Sequence, residues 1–447
     1  MNINRLNIVS AIILPMLLLA VAVIVGYLGL AEIERQVRVA AGNSLSTVLQ
    51  ATNESHSLWL EEKYSKLRRM VEDPELVSSV RKLLRETIKN KNLTDNQQLR
   101  AIRQYFETKM LSSKHTGFSI ISRDYINIAS FDDREVGLKS IIFKKHPELI
   151  ERSLTGETVF IPPIKAGFQQ PEKSIEKNPS LFFVAPIKDK GKVLALLGIR
   201  FQADDTFSRL TQVGRIGDSG ETYAFNRSGL LISNSRFNKD LYQIGLLDHN
   251  QAEAILNIHI TDPGGNMFEG FKPETKLKKQ PLTVMAESAV SGISDVNVQG
   301  YRDYRGVKVL GAWLWNDNLG YGLATEIDEY EALSSYRTAK KTAFVFVFIL
   351  LLIIIALVSV IFWLERKSKS ILKESNVELE KKISDLKYLQ GIIPICSYCK
   401  NIRNDEGSWN QVEHYILKQT DADFSHGICP TCLEKARQES GLIKNNK

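Results

Sequence analysis

Residues 217–237 read GDSGETYAFNRSGLLISNSRF, and this strand–turn–strand stretch decides the fold predicted for the middle of the chain. The segments on either side of the turn Arg227-Ser228-Gly229 are short and rich in β-forming residues, which predicts strands at 221–226 and 230–234. Three further segments of this kind complete the set: 295–301, 307–315 and 321–327. Because short loops connect them, we expect antiparallel neighbours.

A second set of strand-like segments precedes this one. Its members share β-rich composition and flanking turn residues, and lie at 117–122, 126–131, 181–187 and 193–201. Lys190-Gly191, between the last two, is typical of a hairpin turn. Two strand sets of similar size in tandem predict an α+β fold with two stacked units.

One long helix is predicted before both sets. Apolar residues recur at helical spacing from Ile33 to Val71, and Pro74 predicts the end of the helix. About 40 residues at 1.5 Å each span roughly 60 Å, enough to run along the side of a sizeable domain. A coiled-coil stalk is an alternative, and it is compatible with this helix.

Two long stretches, 6–31 and 342–364, carry no charged residue. About 20 apolar residues cross a bilayer as a helix, so both are long enough, and Trp363 is placed like an interfacial anchor. A cleaved signal peptide ending near Gly29-Leu30-Ala31 is the alternative for the first stretch. The length of the stretch and its internal Pro15 favour an uncleaved membrane anchor.

The region between the two spans, 32–341, which we call the central domain, contains no cysteine. All four cysteines follow the second span, and thiols are kept reduced in the cytosol. Arg366 and Lys367 after the second span agree with the positive-inside rule. We therefore expect a two-pass membrane protein with both termini in the cytoplasm and the central domain outside.

A long helix leaving one membrane span, two PAS-like α+β units and a second span resemble the double Cache (dCache) extracellular sensor domains of bacterial receptors. Residues 217–237 and 300–313 are similar to the membrane-proximal half of such domains. The resemblance covers about 32–335 and implies a place in the bacterial inner (cell) membrane. It also implies a small extracellular ligand, sensed in a distal unit at about 75–210 that precedes a proximal unit at about 211–330.

The residues that would hold this ligand are less sharply defined. The amino-acid-binding subset of the family carries an Arg-x-Trp-Tyr-like element, and its absence from this sequence disfavours an amino-acid ligand. Polar residues on or beside the distal strands are the candidates: Arg123, Tyr125, Ser130, Asp132 and Arg200. The alternative is that each is an ordinary strand-face or loop residue, because sequence does not show whether side chains converge.

A short coiled coil is predicted after the second span. Leu372, Leu379 and Leu386 are spaced seven apart, and Asn376 occupies a position that sets register in coiled coils. This seam predicts a homodimer. A single amphipathic juxtamembrane helix is the alternative.

Two Cys-x-x-Cys pairs, Cys396 with Cys399 and Cys429 with Cys432, form the sharpest motif in the chain. Four cysteines in two such pairs complete the tetrahedral ligand set of structural Zn²⁺. A capping box of Ser408 and Gln411 predicts a helix from Ser408 to Thr420, between the pairs. A module this small has little core, so a zinc-ribbon-like fold held by the metal is expected.

Other readings of this motif remain open. The pairs fit a thiol–disulfide redox site, or thiols without any ligand. His414 and His426 are alternative zinc ligands, and His426 precedes Cys429 by three residues. The segments 394–403 and 424–432 resemble a small C-terminal module found on bacterial PAS-containing sensors and response regulators.

The region after the second span shows no phospho-accepting histidine box, nucleotide-binding glycine loop or cyclase signature. The leading hypothesis is a non-enzymatic receptor acting on an unknown cytoplasmic signalling partner; the alternative is a membrane-tethered thiol–disulfide oxidoreductase. Residues 365–447 contain 14 Lys and Arg against 12 Asp and Glu, too balanced for a nucleic-acid partner. The predicted organisation is membrane helix 6–31, sensor 32–341, membrane helix 342–364, coiled-coil linker 365–391, zinc module 392–436 and tail 437–447.

Overall fold

The computed structural model describes residues 3–89, 94, 96–110, 117–165, 179–203, 207–248, 253–275, 279–388, 393–404 and 406–440. The chain divides into two compact units, one of residues 14–350 and the other of residues 1–13 with 351–447.

The described helices are α1 (Ile3–Val71), α2 (Pro74–Lys89), α3 (Gln97–Met110), α4 (Ile141–Lys145), α5 (Pro147–Leu154), α6 (Phe207–Val213), α7 (Asn238–Gln243), α8 (Val284–Val290), α9 (Glu329–Ala332), α10 (Ser334–Tyr388), α11 (Val412–Gln419) and α12 (Pro430–Glu439). The described strands are β1 (Gly117–Ser122), β2 (Asn127–Ser130), β3 (Val159–Lys165), β4 (Pro179–Asp189), β5 (Lys192–Gln202), β6 (Glu221–Phe225), β7 (Asp295–Arg302), β8 (Lys308–Asn316), β9 (Tyr321–Asp328), β10 (Ile402–Arg403) and β11 (Trp409–Asn410).

Helix α1 confirms the long helix expected from the apolar spacing. It ends at Val71, and Pro74 begins α2. There the missing N–H of proline is tolerated because the first helical turn needs no donor, and its fixed φ suits the helix. Leu45, Leu60 and Leu67 are almost fully buried, so one stripe of α1 packs into the core of the central domain.

The first sheet is antiparallel, with strand order β2-β1-β5-β4-β3. The predicted hairpin turn at Lys190-Gly191 joins β4 to β5, and both turn residues have positive φ. The edge strand β3 was missing from the sequence prediction, because Pro162 and Pro163 interrupt its β-forming residues. In the structure they fall at an irregularity in the pairing of β3 with β4, where missing N–H donors are tolerated.

The second sheet is also antiparallel, with order β6-β9-β8-β7. The strand predicted at 230–234 is wrong: only isolated bridges form there, between Phe225 and Leu231 and between Leu230 and His259. A side chain explains the difference, because the Ser233 hydroxyl accepts the Ala224 N–H that a continuing strand would have bonded.

The turn between β7 and β8 depends on one glycine. Gly306 has φ 77°, and its N–H donates to the Asp303 carbonyl at 2.9 Å. A Cβ at this position would lie 1.8 Å from the Gly265 carbonyl oxygen, so no other residue fits without moving the backbone.

Two helices among the described residues are long and apolar enough to cross a membrane, and they lie within α1 and α10. The most apolar 18-residue windows of these two helices have mean hydropathies of 2.6 and 3.5, and the rest of the protein does not bury them. Leu14 and Phe344, for example, are 60% and 66% exposed. Exposed apolar helices of this length are what a bilayer would cover.

The C-terminal module, residues 393–440, follows α10 and consists of the β10–β11 hairpin with α11 and α12. The predicted capping box is wrong. Helix α11 begins at Val412 without a side-chain cap, because Ser408 lies in the hairpin turn and donates its N–H to the Asn404 side chain. Within the described part of this module, Ile402 is the buried apolar residue, so apolar burial does little to stabilise it.

Candidate functional site

Three of the five residues predicted to bind a ligand lie close together in the first sheet. Ser130 on β2 and Arg200 on β5 flank β1, and Asp132 follows β2 directly. Hydrogen bonds from Arg134, assisted by the charge of Arg200, hold the pKa of Asp132 below its ordinary value. The structure therefore groups Ser130, Asp132 and Arg200 into one polar cluster.

The other two candidates lie at the opposite end of β1. Arg123 and Tyr125 occupy the turn to β2, where Tyr125 has φ 67°. The Tyr125 hydroxyl donates to Glu151 at 2.5 Å, and its ring stacks on Phe143 with centroids 3.8 Å apart. The structure does not bring this pair to the polar cluster.

A cleft of about 840 Å³ lies elsewhere in the central domain, and none of the five candidates lines it. One wall consists of the edge strand β3 and helix α5. Loops around 226–228, 256–259 and 317–320 form the other. Its volume is in the range of small-molecule sites, about 300–1,000 Å³.

The floor of this cleft is apolar. Phe160 and Ile164 of β3 line it together with Leu256 and Ile232, and each of these side chains is at most 8% exposed. Leu256 has φ 58°, a left-handed conformation that is costly for a residue with a Cβ. Strain of this kind is frequent at ligand sites.

The rim of the cleft carries more positive than negative charge. Four Lys and Arg residues line it against two carboxylates: Lys145, Arg152, Lys165 and Arg227 against Glu148 and Asp317. Among the described residues, Lys165 bonds to the neutral amide of Asn257, at 2.7 Å, and Lys145 has no hydrogen-bond or ion-pair partner. Within the part of the chain that the structure describes, these two ammonium groups thus have no carboxylate partner.

Sequence reasoning missed this cleft because its walls come from separate parts of the chain. The one local signal is Pro162-Pro163 within a β-forming stretch, since prolines in strands mark edges and bulges. Bulged edge strands are over-represented beside binding sites.

Buried carboxylates are concentrated in the second sheet. Glu221 and Glu326 are direct partners in the pairing of β6 with β9. Tyr301 and Tyr223 donate to the Glu326 carboxyl at 2.6 and 2.8 Å. Burial, together with repulsion from Asp303 and Glu221, raises the pKa of Glu326 to about 8.

This shift predicts a pH dependence that Glu326→Gln removes. The folded-state pKa lies above the ordinary value of 4.5, so Glu326 keeps a proton that the unfolded chain releases. The associated stability is present below pH 4.5 and is lost as the pH rises to about 8, by on the order of a few kcal/mol. Thermal melts of the full chain between pH 5 and 9 should fall less steeply for Glu326→Gln than for the parent. Parallel curves would contradict the assignment.

The four predicted zinc ligands form two separate pairs. N–H groups of Cys399 and Tyr398 donate to the Cys396 sulfur and hold the pKa of that thiol below its ordinary value. The Cys432 N–H does the same for Cys429, the N-cap of α12. Each pair therefore presents one thiol, that of Cys396 or Cys429, biased toward the thiolate that Zn²⁺ requires. Among the described residues, no group of three or more Cys, His, Asp or Glu is close enough to hold an ion.

No family model and no curated protein matches the chain. A sensor domain of the V. cholerae histidine kinase DctB is similar in structure, with 14% identity and TM-score 0.41, over 65% of this chain and 97% of that one. A ligand-binding domain of the Campylobacter jejuni chemoreceptor Tlp3, in complex with L-valine, has 12% identity and TM-score 0.37, over 67% and 97%.

A third similar structure is the ligand-binding domain of Mlp24 with asparagine, with 12% identity and TM-score 0.39, over 68% of this chain and 98% of that one. These similar structures are sensor or ligand-binding domains. TM-scores below 0.5 do not establish a shared fold.

Proposed function

We propose that the chain is a transmembrane signalling receptor. Its central domain, a tandem dCache-type sensor outside the bacterial inner membrane, binds a small molecule. Two membrane helices and a coiled coil relay binding to a cytoplasmic zinc module that acts on a signalling partner. The observation that carries this proposal is the continuity of α1 and α10, each of which joins an apolar span to the central domain without interruption.

Contacts at the base of the second sheet support coupling between the sheet and these helices. Arg38 of α1 bonds Glu329 of α9 at 2.9 Å, and Lys308 of β8 pairs with the same carboxylate. Glu331 of α9 accepts N–H groups from Asp218 and Ser219 at 2.7 Å. A shift of the second sheet would therefore move α9 and the helix α10 that follows it.

Signalling through these contacts requires two states that differ in ligand affinity. A ligand that binds one arrangement of the central domain more tightly raises the population of that arrangement at the expense of the other. Small residues where α1 and α10 line a common groove, such as Gly29 and Ala339, let two helices approach closely and slide.

The coiled coil and the homodimer belong to this proposal. Leu372 and Leu379 are 61% and 56% exposed on α10, so one copy of the chain leaves this seam uncovered. The side chain of Leu386 lies outside the described residues. A second copy would bury the seam as in parallel coiled coils.

Zinc is proposed to hold the C-terminal module through Cys396, Cys399, Cys429 and Cys432. The donor set fits in kind, since four cysteines in two Cys-x-x-Cys pairs are a typical structural Zn²⁺ set and one thiol of each pair is biased toward thiolate. Four thiolates around Zn²⁺ leave a net charge of about −2. The metal would supply the folding free energy that the module's exposed side chains do not.

The lowered pKa of the Cys396 and Cys429 thiols also fits a second function, a membrane-tethered thiol–disulfide oxidoreductase. Cys399, Cys429 and Cys432 are exposed, as reactive thiols are. Stoichiometric zinc with thiols protected from alkylation favours the receptor. Metal-free thiols that cycle with a disulfide substrate favour the enzyme.

Arg38→Met is expected to uncouple the receptor without abolishing ligand binding, because it removes the α1–α9 ion pair and leaves the cleft intact. Full chain in nanodiscs would be screened against small molecules by thermal shift. Any stabilising compound would then be tested for changed hydrogen exchange at 372–388 and 393–440. The parent should respond, and Arg38→Met should bind the compound with a smaller response.

The matched control is Arg35→Met, on the same helix. Arg35 is 67% exposed and, in the described part of the chain, pairs with Glu32 on its own helix, so its loss should leave the response unchanged. A compound that binds the parent without altering exchange in either segment would argue against the receptor.

A further inference from the structure

We infer that the cleft between β3 and the loops of the second sheet binds an organic anion with an apolar body, such as an aromatic or aliphatic carboxylate. This inference rests on the proposed receptor function and names the class of its ligand. It places the ligand between the two sheets and away from Ser130, Asp132 and Arg200.

The floor of the cleft specifies the apolar part of the ligand. Phe160, Ile164 and Leu256 face the same space and are nearly fully buried by the rest of the protein. No charged group belongs to this floor, so a polar ligand would lose hydration without gaining hydrogen bonds there. An apolar body has no polar hydration to lose, and covering the floor removes apolar surface from water, which is favourable.

The rim of the cleft specifies the charge of the ligand. Lys165 ends β3, and its ammonium group uses one of three donors on the neutral Asn257. Lys145 ends α4 and uses none among the described residues. A carboxylate entering between them would gain charge-assisted hydrogen bonds, which are roughly twice as strong as neutral ones.

The remaining rim charges do not neutralise these two. Arg152 is already held by Glu157 at 2.7 Å. Arg227 and Asp317 approach only to 3.9 Å and are 73% and 86% exposed, so they largely compensate each other in solvent. Glu148 faces His146 at 3.1 Å. Against the two ammonium groups this leaves the Glu148 carboxylate, so positive charge is in excess among the described rim residues and disfavours a cationic ligand.

The position of the cleft makes this ligand effective as a signal. The Lys165–Asn257 bond connects the edge of the first sheet to a loop beside the second sheet. Leu256, beside it, is held in a strained left-handed conformation. An anion that draws the Lys165 ammonium away from Asn257 would change a contact between the two sheets, and the second sheet leads into α9 and α10.

The test measures binding of 2-naphthoate to full chain in phosphatidylcholine nanodiscs, with empty nanodiscs correcting for partition into lipid. The neutral 2-naphthamide and the cationic 2-naphthylmethylammonium serve as matched ligands, and decanoate represents aliphatic acids. The parent should bind at least one of the two carboxylates, and 2-naphthoate at least about tenfold more tightly than the amide.

Lys145→Gln combined with Lys165→Gln should weaken carboxylate binding about tenfold and leave amide binding unchanged. The control Lys192→Gln with Lys272→Gln removes the same net charge at exposed sites outside the cleft and should have no effect. Thr158→Trp, which fills the cleft with the rim charges intact, should abolish binding of either carboxylate.

Failure of the two proposals is distinguishable. This inference is overturned if neither carboxylate binds, if the amide binds equally, or if Arg200→Gln abolishes binding while the double lysine variant does not. The receptor proposal is then tested only by the small-molecule screen described above. If a carboxylate binds at the cleft without changing hydrogen exchange in α10 or the C-terminal module, the site is real and the receptor proposal is contradicted.

Discussion

Cys429→Ser is expected to unfold the C-terminal module completely, with loss of its zinc. The structure leaves this module almost no apolar core, since Ile402 is its buried apolar residue among those described. Ligation in small zinc domains supplies on the order of 10 kcal/mol of folding free energy. Removal of one thiolate should therefore make residues 393–440 sensitive to protease instead of merely loosening one turn. The same result is expected for Cys396→Ser, because both pairs share one ion.

The measurement is zinc content of the purified full chain together with limited proteolysis. His414→Ala is the matched control, since it lies in the same module and should keep both zinc and protease resistance. Thermal unfolding of the central domain should be unchanged in all these variants. A full equivalent of zinc in Cys429→Ser would disprove the four-cysteine site, and His426 would then be the first replacement ligand to test.

The second large effect is expected from Arg305→Met in the second sheet. The Arg305 side chain is 5% exposed and bonds Asp303 at 2.5 Å and Asp328 at 2.7 Å. It also lies 3.8 Å from the centre of the Phe237 ring. Asp303 is 1% exposed, so loss of Arg305 would leave a buried carboxylate without its cation. Breaking such a buried pair typically destabilises a protein by about 3–5 kcal/mol.

Arg302→Met provides an internal comparison three residues away. Arg302 pairs with Asp262 at 2.8 Å but is 47% exposed, and exposed pairs contribute about 1 kcal/mol or less. In thermal melts of the full chain, Arg305→Met should lower the melting temperature by on the order of 10 °C, against a few degrees or less for Arg302→Met. Equal losses would show that the Arg305 network does not stabilise the second sheet.

Strand prediction succeeded where apolar, β-forming residues form short runs between turns. The segment 117–122 matches β1, and 193–201 lies within β5. It failed at 230–234, where the Ser233 hydroxyl takes the Ala224 N–H from a strand partner, and Ser235, the residue after this segment, bonds Glu221. It also missed β3, since Pro162-Pro163 argues against a strand when read alone. Local composition does not reveal which backbone groups will find partners elsewhere.

The predicted ligand residues show the same division. All five are polar residues near the distal strands, and the structure separates Arg123 and Tyr125 from Ser130, Asp132 and Arg200 along the length of β1. Where two residues lie on a strand follows from the sequence. Which of them face one space depends on the pairing of strands that are distant in the chain.

By itself, the sequence determined the features that depend on contiguous residues. These are the two apolar stretches within α1 and α10, the end of α1 before Pro74, the two sets of strands and the paired cysteines. Each follows from hydrophobic periodicity, from the fixed φ of proline or from the spacing of two thiols, all of which act over a few residues. Only the tertiary structure decided the cleft and the buried carboxylates. Lys145, Lys165 and Leu256 meet at one cleft, and Glu221 lies opposite Glu326, because sheet pairing brings together segments far apart in the chain and burial then changes their chemistry.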